Sequence, residues 1–116
     1  MPTRIALLAG VGAPVEGLLA DLESLDCEVT VTDALATPGE TAEVLVVAAD
    51  GEGGWYAVDR LRHDPRPLLV VSDEPRRRMM SLSARAGQAM MISGAGGPAA
   101  LQVALSMWAG LEAPRD

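Results

Sequence analysis

Residues 44–72 read VLVVAADGEGGWYAVDRLRHDPRPLLVVS, and this stretch decides the fold. It opens on the apolar run Val44-Leu45-Val46-Val47-Ala48 and closes on a second, Leu68-Leu69-Val70-Val71-Ser72. Both runs are nearly continuous rather than alternating, the pattern of strands covered on both faces. Between them, from about Trp55 to Arg62, Val58 and Leu61 recur with Tyr56 or Trp55 at helical spacing, so one face of a helix turns inward. A strand, a helix and a strand in such close succession predict a parallel βα unit.

The alternation continues on both sides. Toward the N-terminus stand Ile5-Ala6-Leu7-Leu8-Ala9 and Glu28-Val29-Thr30-Val31-Thr32, the latter alternating as a more exposed strand does. Toward the C-terminus stands Ala89-Met90-Met91-Ile92-Ser93. Pro14 can start a first helix, where its missing N–H costs nothing, and Leu18, Leu19, Leu22 and Leu25 give that helix an apolar stripe. The stretch from Asp33 to Glu43 contains Pro38-Gly39, so the second helix is expected to be short or broken. A fourth helix is expected from Pro75 to Gly87, and a fifth from Pro98 to about Gly110. Five such units predict an α/β, flavodoxin-like three-layer sandwich with a five-stranded parallel sheet in the order 2-1-3-4-5.

The chain has 116 residues, 49% of them hydrophobic, enough for one domain with its own core. That domain is expected to span residues 1–111, with 112–116 starting a linker or tail. Cys27 is the sole cysteine, so no internal disulfide points to an oxidising compartment. No apolar run reaches the ~18 residues of a membrane span, and no secretory leader opens the chain. A cytoplasmic protein without membrane contact is the expectation. A net charge of −7 opposes non-specific binding to nucleic acid. There is no lysine. Up to Asp59 the only base is Arg4, and arginines then cluster, with Arg76-Arg77-Arg78 expected at the surface.

In folds of this kind function sits at the carboxyl ends of the strands. Here these are Gly10-Val11-Gly12, Ala48-Ala49-Asp50, Ser72-Asp73 and Ser93-Gly94. Gly10-Val11-Gly12 does not extend to a dinucleotide fingerprint, because the next glycine, Gly17, is wrongly spaced. Gly94-Ala95-Gly96-Gly97 precedes a helix but has no phosphate-binding lysine with it. His63 falls in a helix-end turn, and Cys27 lies away from it. No catalytic residue, metal ligand or cofactor is expected, which leaves an enzyme or nucleotide-binding reading without a constellation to carry it.

Several segments in order resemble the receiver domains of bacterial response regulators in two-component signalling, and among them those of the NarL/LuxR type. The segment from Arg4 to Ala9 followed by Pro14-Val15-Glu16-Gly17-Leu18 looks like that group's first strand and helix. The segment from Trp55 to Pro65 is similar to its third helix and the following turn. Ser83-Ala84-Arg85-Ala86-Gly87 is similar to the end of its fourth helix, and Pro98-Ala99-Ala100-Leu101 with Ala109-Gly110 to its last. The active positions depart from the family. The resemblance implies two acids after strand one, where Gly10 and Val11 stand. It implies a phosphoacceptor aspartate at Ala48 and a lysine at Gly94, and only its strand-four hydroxyl survives, as Ser72. Asp50, two residues past Ala48, is weighed as a displaced acceptor, but without metal ligands or a charge partner.

The resemblance therefore implies a degenerate, phosphorylation-independent receiver: a regulatory and dimerising module for transcription regulation. DNA would be contacted only through a C-terminal helix-turn-helix domain that is not in this chain. Leu111 to Asp116 reads like the start of the linker to it. The competing reading is a sensor whose small-molecule ligand fills the vacated pocket, for which Gly10, Gly12, Ala48, Ala49 and Gly94 leave room. A homodimer is expected. In the fifth helix Leu101, Ala104, Leu105, Trp108 and Leu111 form one apolar stripe, and Ala100, Val103 and Met107 a second. A helix lying on a sheet buries one stripe, so the second is expected to form the contact with another copy.

Overall fold

The computed structural model describes residues 3–13, 15–25, 27–61, 63–72, 89–92 and 101–103. Pro14, Arg62, the expected fourth helix with its arginine triplet, Gly94, and most of the fifth helix, including Ala100 and Met107, lie outside the described residues.

The strands are β1 (Thr3–Ala9), β2 (Cys27–Asp33), β3 (Val44–Ala48), β4 (Leu68–Val71) and β5 (Ala89–Ile92). The helices are α1 (Val15–Glu23) and α2 (Gly54–Leu61), and residues 101–103 are helical. The described strands form one sheet, β2-β1-β3-β4-β5, with every pairing parallel. The architecture is thus α/β around a parallel sheet, as the alternation of apolar runs and helical stripes predicts. Among the described residues no helix is long and apolar enough to cross a membrane.

The two-residue period of the strands divides the core in two. Ile5, Leu7, Val44, Val46, Leu69 and Val71 pack with Leu18 and Leu22 of α1 and with Leu101. Ala6, Leu8, Leu45, Val47, Leu68 and Val70 pack on the other face with Ala57, Val58 and Leu61 of α2. All of β3 and β4 is buried, which is why both read as unbroken apolar runs. Each fully buried leucine or valine there contributes roughly 1.5–3 kcal/mol. On α2 the choice left open at its inward face is resolved for Trp55, which packs against the core, while Tyr56 is exposed.

Between β2 and β3 the expected short or broken helix is absent. Residues 34–43 run through turns, bends and irregular chain. Asp33 starts them by accepting the Leu35 amide on its own carboxylate at 2.8 Å, a side-chain turn that competes with helix formation. A segment without a helix leaves its carbonyls without the partners a helix supplies. Two arginines supply them. Arg60, from α2, donates to the carbonyls of Ala34 at 3.0 Å, Leu35 at 3.3 Å and Ala36 at 2.8 Å. Arg66, from the turn before β4, donates to those of Gly39 at 2.7 Å and Ala42 at 3.1 Å. Its guanidinium is itself held by Asp64, Nε to Oδ1 at 2.9 Å and Nη2 to Oδ2 at 2.8 Å, a two-pronged geometry open to arginine and not to lysine.

The hydrogen bond from Arg66 holds the Asp64 carboxyl below its ordinary value, against an opposing desolvation effect. A carboxylate depressed in the folded state adds stability above its unfolded pKa, and that stability is lost as pH falls through the folded one. Asp64→Asn is therefore expected to melt lower than the parent chain at neutral pH. Thermal melts from roughly pH 5 to pH 2 should show the two midpoints converging, because the parent alone loses this contribution there.

Candidate functional site at the carboxyl ends of the strands

The loops after β1 and β3 meet where the sheet ends. The β1 loop turns at Gly10-Val11-Gly12, where the Ala13 amide donates to the Gly10 carbonyl at 3.2 Å. The β3 loop runs from Ala49 to Gly53 and leads into α2 through the Gly54 amide, which donates to Gly51 O at 3.1 Å. Ala49 stays attached to β4, its amide donating to Val71 O at 3.0 Å. The two loops are joined by the Glu52 amide, which donates to Val11 O at 2.8 Å.

This junction dictates glycine. A methyl group on Gly10 would fall on the carbonyl oxygen of Glu52. One on Gly51 would lie 2.6 Å from the Ala13 Cβ and 2.9 Å from Gly10 O. One on Gly54 would meet the backbone of Ala49. These are contacts with backbone and a short side chain, which cannot swing aside. Gly12 and Gly53 answer a different demand, φ values of 85° and 77°, where side chains other than hydrogen are strained.

The positions singled out from the sequence are therefore arranged as follows. Gly10 has its side-chain space filled by the Glu52 carbonyl, which corrects the expectation that Gly10 leaves room for a ligand. Val11 is 78% exposed, its side chain turned to solvent. Ala48 and Ala49 are buried in the core, and Ala48 stands beside Ala9 and Val71 in the sheet. Ser72, just past β4, is 3% exposed. Gly94 lies outside the described residues. Among the described residues no three of His, Cys, Asp or Glu gather as a metal-holding group. His63 is exposed in the turn after α2, and Cys27 is half-buried at the start of β2.

One polar contact crosses the strand ends. The Ser72 hydroxyl donates to Asp50 Oδ1 at 2.5 Å. A buried hydroxyl needs such a partner, and a carboxylate acceptor makes a short, strong one. Asp50 thus has the partner that its sequence position alone did not reveal, because Ser72 is brought to it only by the pairing of β3 with β4. The sequence signal available was the coincidence of an acid and a hydroxyl at two adjacent strand ends.

No protein-family model matches the chain, and no curated protein matches it. The local geometry makes two glycines respond oppositely. Gly10→Ala is expected to destabilise by about 1–3 kcal/mol, because the Glu52 loop must move. Gly17, inside α1 with nothing near its missing side chain, is expected to gain about 0.5–1 kcal/mol as alanine. Urea unfolding of the two variants checks both signs.

Proposed function

We propose that the chain is a receiver-like domain of the flavodoxin-like, three-layer type that regulates without being phosphorylated, as the regulatory and dimerisation module of a LuxR-type transcription regulator. The observation that carries this reading is the junction at the strand ends. Transfer of a phosphoryl group relies on metal and cation to neutralise developing charge. The resemblance calls for acids at Gly10 and Val11. Backbone from Glu52 occupies the first position, and Val11 offers an alkyl group to solvent. At the acceptor position stands buried Ala48. The hydroxyl that would contact an incoming phosphoryl group, Ser72, is engaged by Asp50. A domain arranged so is a scaffold, and its output is what it binds. DNA contact, in this reading, belongs to a separate helix-turn-helix domain, in keeping with the net charge of −7 here.

The dimerisation half rests on the fifth helix. Leu101 is buried, while Val103 is 57% exposed. An exposed apolar side chain such as that of Val103 suits contact with a second copy.

Incubation with acetyl phosphate and Mg²⁺ is expected to leave the mass unchanged. A gain of one phosphoryl group overturns the reading, and its loss in Asp50→Asn would name the acceptor. Sedimentation is expected to give a dimer for the parent chain and a folded monomer for Val103→Glu combined with Met107→Glu. A parent chain that stays monomeric at about 100 μM removes the dimerisation half, since specific homodimers of modest affinity, about 1 μM, would be populated there.

A further inference from the structure

The absent helix between β2 and β3 leaves part of the sheet open. A groove of about 340 Å³ lies there, and Arg4, Glu28, Thr30, Thr32 and Thr41 are among the residues that line it. Ile5, Ala6, Gly39 and Ala42 complete its lining. The last two are braced, because Arg66 donates to both of their carbonyls and is itself held by Asp64. None of Gly10, Val11, Asp50 or Ser72 lines the groove.

Its chemistry is specific in three respects. Arg4 and Glu28 are partners in the β1–β2 register, so a guanidinium and a carboxylate stand side by side. They approach only to 4.0 Å, with side chains 44% and 63% exposed, a loose pair in which both groups keep hydrogen-bonding capacity. The hydroxyls of Thr30, Thr32 and Thr41 have no hydrogen-bond partner among the described residues. Among the described residues no aromatic ring lines the groove on which a sugar or a base would stack.

We propose that this groove binds a free α-amino acid with a polar side chain. An α-carboxylate meets Arg4 and the neighbouring α-ammonium meets Glu28. A ligand carrying one charge would leave the other protein charge unmatched, whereas a zwitterion matches both. The ligand's side chain runs along β2 and takes its hydrogen bonds from the threonine hydroxyls. The volume lies at the small end for ligand sites, which suits a metabolite of this size. The inference does not rest on the receiver reading, and the phosphorylation and sedimentation results leave it untouched.

The test is thermal unfolding with L-serine, L-threonine, L-asparagine and L-glutamine, each against its N-acetyl and carboxamide derivatives. At least one free amino acid is expected to raise the midpoint saturably, by about 4 °C at tenfold above its Kd. The blocked derivatives are expected to bind at least about tenfold more weakly, having lost one charge-assisted contact. Arg4→Gln and Glu28→Gln are each expected to show the same loss with the free amino acid while their unliganded midpoints stay near the parent's, since an exposed pair adds little stability. Thr30→Val provides a further variant that leaves both charges in place and weakens binding. The proposal is overturned if none of the four amino acids shifts the midpoint up to about 20 mM, beyond the range of metabolite affinities. It is equally overturned if blocked derivatives bind as well as free ones, or if the three variants bind as the parent does.

Discussion

Each backbone N–H and C=O group of a folded chain calls for a partner. Within β1 to β5 the ladder meets that demand, and α1 and α2 meet it internally. Residues 34–43 have neither. Five of their carbonyls instead accept hydrogen bonds from Arg60 and Arg66. The guanidinium suits this work because it spreads several donors in one plane and stays charged throughout the accessible pH range. The placement of these two residues lets the chain pass from β2 to β3 without a helix, and it shapes one face of the sheet.

That face differs from its opposite in a way the strands anticipate. On the α1 side β2 contributes Val29 to the core. On the other side the same strand presents Glu28, Thr30 and Thr32, residues that lose little by remaining wet. A helix laid over them would have to bury hydroxyls and a carboxylate, a cost with no apolar gain to offset it. The missing helix and the polar strand face are therefore two expressions of one energetic balance. The opening that results carries polar side chains from β2, and Arg66 braces Gly39 and Ala42 at it.

At the strand ends the balance runs the other way. Glycines that look from the sequence like vacated side-chain positions are positions where backbone from a second loop has moved in. The approach of Glu52 to Gly10 and of Ala13 to Gly51 closes the end of the sheet, and the Asp50–Ser72 bond ties β3 to β4 beside it. Absence of a side chain is thus not equivalent to presence of a cavity. Which of the two results depends on where the neighbouring loop runs, and that is a matter of chain path rather than composition.

Much of the architecture was legible in the residues. The unbroken apolar runs of β3 and β4, the alternation in β2, the leucine stripe of α1 and the helix-breaking Pro38-Gly39 each state a local preference that the core then satisfies, because burial is set by periodicity along one element. The residue types at Gly10, Val11 and Ala48 were legible in the same way, at counted positions. What only the tertiary structure decided involves groups distant in sequence: the inward turn of Trp55 rather than Tyr56, the Ser72–Asp50 bond, the filling of the space at Gly10, and the carbonyls gathered by Arg60 and Arg66. Hydrogen bonds and close contacts are short-ranged and directional. The residues that make them are chosen by how the strands pair and the loops cross, information that no local stretch of the sequence carries.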